Sequence, residues 1–150
     1  MNTITKKWAL IAMTAGTILF SCKKEKSIDP PACAVNVANI SGAYKLTALQ
    51  YKASATAAPV DYYAYTEDCE KDDIVTFKSD GSYDYNDAGT TCSPDKTEHG
   101  TWQLKGNILS KDGELDATIE SYDCKSKTMV YYVENALKQG DRLTFTWVKQ

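Results

Sequence analysis

Few residues in this 150-residue sequence are of types that could carry out catalysis. His99 is the only histidine, and Glu98 and Asp95 lie close to it in the chain. A hydrolytic triad pairs a histidine with an activated serine, and no serine here has a motif that marks it as a nucleophile. We therefore predict that His99 is a surface residue at the start of a strand, that no residue is catalytic, and that the protein is not an enzyme.

The carboxylates and cysteines also lack the spacing of a metal site. No group of cysteine and histidine has zinc-ligand spacing, and Asp80, Asp84 and Asp87 do not follow the calcium-loop pattern. Asp72 and Asp73 are adjacent at the start of a predicted strand, so their side chains point to opposite faces. That arrangement suits solubility better than an acid–base pair. The sequence thus predicts neither a metal nor a cofactor.

Tyrosine is the residue in excess, with ten in the chain. Three lie on a long connection between predicted strands, and Tyr44, Tyr83, Tyr85 and Tyr131 occupy predicted inward positions. Tyrosine fills small barrels, and it also lines pockets for small apolar or amphipathic molecules. We favour filling for the inward set and leave both uses open for the three on the connection. The candidate ligand-binding residues are Tyr62, Tyr63, Tyr65, Tyr85, Trp102 and Tyr131.

A β-hairpin predicted over residues 73–86 is the clearest local pattern. Asp73, Val75 and Phe77 share one face of its first strand, with the period of two that is typical of half-buried strands. Gly81 supplies the positive φ that a tight turn requires, and the returning strand again alternates apolar and polar residues. This hairpin provides the second and third strands of the predicted fold.

Similar alternation predicts about eight strands in all, and no helix-period segment is long. The other six strands are residues 42–51, 99–105, 108–110, 114–123, 127–134 and 142–149. In the first of them the alternation runs through Tyr44, Leu46 and Ala48. Their short, even spacing predicts an all-β fold, which we expect to be an up-and-down antiparallel β-barrel. The longer connections, at 52–71, 88–97 and 135–140, fall at one end with the brief 111–113, and we call this end the mouth. Only tight turns fall at the other end, the floor.

Barrel closure requires the first and last strands to pair, which also removes exposed strand edges. Antiparallel pairing of these two strands predicts that Tyr44 lies near Trp147 at the floor. The two rings would then form an aromatic pair that plugs this end of the barrel.

Two disulfides are predicted among the cysteines that follow Cys22. Four cysteines allow three pairings, and bonded residues need Cα atoms within about 7 Å of each other. Cys69 and Cys92 fall at the mouth of the predicted barrel, and Cys33 and Cys124 fall at its floor. We therefore predict the bonds Cys69–Cys92 and Cys33–Cys124, which suit an exported protein.

Residues 1–21 have the layout of a secretory signal, with a basic start and an apolar run. The exit sequence Leu19-Phe20-Ser21-Cys22 resembles the lipobox of bacterial lipoproteins. The resemblance implies cleavage before Cys22, acylation of Cys22, and a lipid anchor in the outer membrane of a bacterial cell envelope. The alternative is an ordinary secretory signal that leaves Cys22 free.

The remaining chain divides into a short tether and one domain. Residues 22–39 comprise the lipidated cysteine and a polar, proline-containing tether, whose lysines favour an anchor facing the periplasm, and residues 40–150 form the barrel. The whole chain has a net charge of −3, and removing a leader that holds two lysines and no acid leaves −5. Such an acidic domain argues against nucleic acid as a partner.

Three short motifs carry a resemblance to a known family. They are Ser41-Gly42-Ala43-Tyr44-Lys45-Leu46 in the first strand, Phe77-x-x-Asp80-Gly81-x-Tyr83 in the hairpin, and Gly100-Thr101-Trp102-x-Leu104 in the fourth strand. With the meander pattern, they resemble the lipocalin-like domains of bacterial lipoproteins. Lipocalins proper have tryptophan where Tyr44 stands and an arginine near the end of the last strand, whereas Arg142, the chain's only arginine, begins that strand.

The resemblance implies a membrane-tethered binding module for a small apolar or amphipathic molecule. The alternative is an envelope module for protein–protein interaction or assembly, with a filled barrel and no ligand. The expected partners are a small hydrophobic ligand and, through the lipid anchor, the membrane. No protein partner is named by the sequence.

Overall fold

The fold is described by a computed structural model for residues 33–150, and the predicted signal peptide, Cys22 and most of the predicted tether lie outside this range. Nine strands follow one another along the chain. They are β1 (Gly42–Lys52), β2 (Val60–Asp61), β3 (Ile74–Phe77), β4 (Ser82–Asn86), β5 (Glu98–Lys105), β6 (Ile108–Lys111), β7 (Leu115–Asp123), β8 (Thr128–Glu134) and β9 (Arg142–Lys149). The alternation in the sequence predicted all of these except the two-residue β2.

The strands form an antiparallel barrel in which β1 and β3 to β9 follow in sequence order. The barrel closes because β9 pairs with β1, from Tyr44 opposite Lys149 to Lys52 opposite Arg142. The short β2 pairs with the mouth end of β1, beside the closed ring of eight strands. The predicted up-and-down eight-stranded barrel is therefore confirmed.

Alternate residues of each strand face the interior and form one continuous core. Trp147 is the most deeply buried residue of β9, and it lies directly opposite Met129 on β8 and Leu46 on β1. On the other side of the barrel, Phe77 packs against Trp102 with ring centroids 5.2 Å apart. The interior is thus filled mainly by large apolar and aromatic side chains.

A β-bulge in β1 changes which of its residues face inward. The register with β9 shifts between Leu46 and Ala48, so Leu49, rather than Ala48, lies opposite Phe145. A bulge adds one residue to a strand and turns the following side chains to the other face. The predicted alternation through Ala48 is therefore wrong beyond Leu46, and two leucines three residues apart both point into the barrel.

Among residues 33–150, one short α-helix covers the floor. In α1 (Val37–Ile40), the Asn36 side chain accepts a hydrogen bond from the Asn39 backbone N–H at 2.9 Å, which caps the first turn. Ile40 is fully buried beneath the barrel, and the Tyr44 hydroxyl donates to its carbonyl at 2.7 Å. Tyr44 is itself fully buried, and this burial raises its pKa well above the usual range.

The predicted aromatic pair at the floor is wrong in detail. Tyr44 and Trp147 both lie on paired strands, but Leu46 stands opposite Trp147 and Lys149 stands opposite Tyr44. The ring of Tyr44 packs edge-on against Phe77 at 6.1 Å instead. The predicted strand pairing holds, and only its register differs from the expectation.

Both predicted disulfides are present. Cys33 and Cys124 join the segment before α1 to the end of β7 at the floor, with Cα atoms 5.2 Å apart. Cys69 and Cys92 join two loops at the mouth, with Cα atoms 5.3 Å apart. In the part of the chain that the structure describes, no helix is long and apolar enough to cross a bilayer.

Candidate functional site

A cavity of about 250 Å³ lies inside the mouth end of the barrel. One wall is formed by β1 and β9, a second wall by Asp73, just before β3, and by β4, and the roof by the connection that leads into β3. The lining residues are Leu46, Leu49, Thr66, Glu70, Asp73, Tyr85, Phe145 and Trp147. The cavity is therefore apolar on the closing side of the barrel and acidic on the other.

The apolar wall depends on the closing strands and on the bulge in β1. Leu46 and Leu49 both reach the cavity because of that bulge, and they stand opposite Trp147 and Phe145. Behind this wall, the Tyr131 ring lies 5.0 Å from that of Phe145 and stacks on Trp147 at 6.3 Å. Burial raises the pKa of Tyr131 to about 12, so its hydroxyl stays protonated under ordinary conditions.

The acidic wall centres on Asp73, whose side chain is only 3% exposed. The Tyr85 hydroxyl donates to its Oδ2 at 2.8 Å, and the Ala88 backbone N–H donates to its Oδ1 at 3.1 Å. Burial, followed by the nearby Asp73 carboxylate, raises the pKa of Tyr85 and keeps it a hydrogen-bond donor. The interpretation of Asp73 as a solubilising residue is wrong, although its place on the face of Val75 and Phe77 was predicted correctly.

The roof is held in place by two cross-links between mouth loops. The Cys69–Cys92 disulfide joins the β1–β3 connection to the β4–β5 connection. Lys96, on the second loop, forms ion pairs with Glu70 and, at 3.5 Å, with Glu67 on the first. These two attachments fix Thr66 and Glu70 above the cavity.

The three tyrosines predicted on the connection lie in or beside a 3₁₀ turn at Tyr63–Tyr65. Tyr62 packs between the rings of Tyr51 and Tyr65, each at 5.7 Å, and Tyr65 is 74% exposed. The Tyr63 hydroxyl donates to the Leu46 carbonyl at 3.4 Å, which ties the roof to β1. None of the three is among the residues that line the cavity.

The other candidate ligand-binding residues divide between the cavity and the core. Tyr85 lines the cavity, and Tyr131 supports the wall from behind. Trp102 lies deeper in the barrel, where its Nε1 donates to the Lys78 carbonyl at 2.8 Å and its ring packs on Phe77. Sequence reasoning missed Asp73 and Leu49, and the alternation that placed Asp73 inward was the available signal for the first.

His99 is exposed on β5 and points away from the cavity. Its Nδ1 lies 2.8 Å from Oδ1 of Asp84, and the Lys78 ammonium lies 2.6 Å from the other oxygen of that carboxylate. Lys78, and then His99, hold the pKa of Asp84 below its usual range. The side chains around His99 thus form a surface charge cluster, in agreement with the predicted surface position.

Within residues 33–150, one group of metal-ligating atom types lies close together: Glu67, Cys69 and Cys92. Both sulfurs belong to the mouth disulfide, so the group offers a single carboxylate to a cation. A more open depression of about 480 Å³ lies beside the mouth, and its residues Lys96, Glu98 and Lys111 carry charges of both signs. Lys111 pairs with Glu98 at 3.0 Å, so that depression is largely self-neutralised.

An eight-stranded meander barrel with a closed floor and a cavity at its mouth is an architecture that small β-barrels use to hold ligands. Residues 40–131 match the family model of the lipocalin-like domain, and the chain belongs to that family. The match runs from the end of α1 into β8, and β9 completes the barrel beyond it. No curated protein and no solved structure matches the chain significantly. A barrel of this family suggests a small-molecule binding module.

Proposed function

We propose that this domain binds a small apolar or amphipathic molecule in the mouth cavity and has no catalytic role. The observation that carries the proposal is the cavity itself. Large side chains fill most of the barrel interior, whereas a space of about 250 Å³ stays open at the mouth. Apolar walls with a few converging polar groups are typical of small-molecule sites. The cavity is smaller than the range of about 300–1,000 Å³ that holds drug-sized ligands, so the ligand is compact.

Native mass spectrometry of the protein purified from its own envelope tests this function. We expect a retained small molecule, lost in the variant Leu49→Trp because the larger side chain fills the cavity. Leu137→Trp is the matched control, since Leu137 is exposed on the mouth hairpin and does not line the cavity. Equal retention by both variants would place the molecule elsewhere and contradict the proposal.

We also propose that the domain is tethered to the outer membrane through an acylated Cys22 and faces the periplasm. The support is the lipobox-like Leu19-Phe20-Ser21-Cys22 and the position of Cys33, which lies at the floor, at the opposite end of the barrel from the mouth. The Cys22→Ser variant should appear in the soluble periplasmic fraction, measured by envelope fractionation. Membrane retention of this variant would exclude the lipid anchor.

Exposed apolar side chains beside the mouth favour a second candidate, a protein-interaction module. Val60 and Tyr65 are 52% and 74% exposed on the same connection. If a protein partner uses this patch, it should co-purify with wild type and with Leu49→Trp, and be lost from Val60→Ser and Tyr65→Ser. Loss of a small molecule from Leu49→Trp without loss of any protein supports the first candidate instead.

A further inference from the structure

We propose that the ligand of the mouth cavity is a small amine, bound as its ammonium cation against Asp73 with its apolar body against Trp147 and Phe145. This inference rests on the proposed binding function and adds the charge of the ligand to it. Its basis is a buried carboxylate that faces a cavity and has no cationic partner in the described chain.

Asp73 is the unusual group of this cavity. Among the ion pairs of residues 33–150, none includes Asp73, although its side chain is only 3% exposed. Buried charges in proteins are normally paired, because removing a charge from water is costly. A ligand cation is the partner that the cavity can still admit.

The carboxylate of Asp73 also retains hydrogen-bonding capacity toward the cavity. Each of its oxygens accepts one hydrogen bond from the protein, from Tyr85 or from Ala88, and a carboxylate oxygen can accept two. Asp141, the other fully buried carboxylate in the described chain, differs because it accepts the Leu137 and Lys138 backbone N–H groups of its own hairpin and does not line the cavity. Asp73 therefore combines burial with access to an empty space.

The charges around the cavity favour a cation over an anion. No lysine, arginine or histidine lines it, and Glu70 adds a second carboxylate beside Asp73. The cation that neutralises Glu70 is Lys96, which approaches from the β4–β5 connection. An anionic ligand would lie against the like charge of the Asp73 carboxylate, whereas an ammonium group would donate to that carboxylate in a charge-assisted hydrogen bond.

The remaining walls suit the rest of such a ligand. Aromatic rings of Tyr85, Phe145 and Trp147 line the cavity, and ring faces attract cations as well as apolar groups. Trp147 is 8% exposed, so its ring is a largely buried part of the wall against which an apolar body can pack.

Three ligands of equal chain length test the inference: n-hexylamine, 1-hexanol and hexanoate. Binding is followed by Trp147 fluorescence in a Trp102→Phe background, in which Trp147 is the one tryptophan of residues 33–150. We expect the amine to bind at least about tenfold more tightly than the alcohol, as one charge-assisted hydrogen bond implies, and hexanoate to bind weakest.

Two variants locate the effect. Asp73→Asn should remove the preference for the amine while alcohol binding is kept, and Asp72→Asn should leave the preference unchanged. Asp72 is the matched control because it does not line the cavity and instead accepts the Thr90 backbone N–H at 2.9 Å. If Asp73→Asn does not fold, the comparison of the three ligands on the wild-type protein still tests the preference for a cation.

The outcomes separate the two proposals. If the alcohol binds as tightly as the amine, the charge assignment is overturned and the binding function remains. If none of the three ligands binds and native mass spectrometry finds no retained molecule, the binding function fails as well. Amine preference that survives in Asp73→Asn would overturn the role of Asp73.

Discussion

Tyr131, behind the apolar wall of the cavity, makes the free energy of unfolding depend on pH in the alkaline range. An unfolded tyrosine loses its proton near pH 10, whereas burial raises the pKa of Tyr131 to about 12 in the folded protein. Because the pKa is raised on folding, the contribution of Tyr131 to the free energy of unfolding is fully present below pH 10. It declines as pH rises toward 12, because this tyrosine then ionises in the unfolded chain but not in the folded protein. This residue alone should cost about 2 kcal/mol by pH 12.

We expect Tyr131→Phe to make that alkaline decline in the free energy of unfolding shallower. Urea denaturation at several values between pH 8 and 12 measures it. Tyr65→Phe serves as the control, because it removes a hydroxyl from an exposed ring. An unchanged slope in Tyr131→Phe would show that other groups dominate the alkaline transition.

Gly100 leaves space that Tyr83 and Asp112 fill. A Cβ added at Gly100 would lie 2.6 Å from Cε1 of Tyr83 and in collision with the Asp112 carboxylate, which accepts from the Tyr83 hydroxyl at 2.6 Å. Gly100→Ala should therefore destabilise the fold by about 1–3 kcal/mol, as overpacking does, measured by urea denaturation. Gln103→Ala, at an exposed position of the same strand, should change stability far less. Comparable losses in both variants would argue against a steric role for Gly100.

At the level of residues, periodicity predicted which face of a strand a side chain occupies better than it predicted what that side chain contacts. The alternation placed Asp73 with Val75 and Phe77, and all three are buried. It could not show that Asp73 would receive the Tyr85 hydroxyl, because that contact depends on the register between β3 and β4. A carboxylate at the end of an inward face is ambiguous until its neighbours are known.

The two mouth connections act as one unit because a disulfide and an ion pair join them. Closing the loop between Cys69 and Cys92 stabilises the fold by about 3 kcal/mol in chain-entropy estimates. We expect Cys69→Ala/Cys92→Ala to keep the barrel but to expose residues 62–73 and 88–97 to faster amide hydrogen exchange. Hydrogen-exchange mass spectrometry measures this, and the β8–β9 pair provides the internal reference. Faster exchange throughout the barrel would mean that the bond supports the whole fold rather than the roof.

Short elements and irregular positions were the ones that sequence could not predict. The helix α1 has four residues and β2 has two, so each contains only about one period of its pattern, which is too little to show a repeat. The bulge in β1 likewise leaves no mark in a sequence of alternating residues, yet it brings Leu49 to the cavity. One of the four side chains of the apolar wall was thus beyond prediction, because its position follows from one register shift.

Closure is the property of the whole molecule that the last strand supplies. Without β9, both β1 and β8 would lose a neighbour along most of their length, and each would become an exposed edge. We expect a chain that ends at residue 141 to be unfolded or aggregated, as judged by circular dichroism and gel filtration. A chain that ends at residue 149 should fold, since it loses only a terminal residue. A folded, monomeric 141-residue form would show that closure is dispensable.

The global architecture was predictable because several weak signals agreed. The even strand spacing, the placement of long and short connections, and the parity of the cysteines all required the same meander, and the two disulfides confirm that parity. The register between the two closing strands was not predictable from these signals, because Tyr44 stands opposite Lys149 rather than near Trp147. Topology follows from patterns along the chain, whereas register follows from packing across it.

The bond between Cys33 and Cys124 gives the domain a defined path for mechanical load. A pull on the residues that precede Cys33 divides there, and part of it crosses the sulfur bridge to the end of β7. The load then enters a strand that is paired on both sides, instead of peeling β1 from Gly42 onward. With the bridge reduced, the same pull would first unwind α1 and then unzip the strand that closes the barrel. The floor disulfide therefore transmits part of the tension to β7 and protects the pairing of β1, which closes the barrel, from the full force.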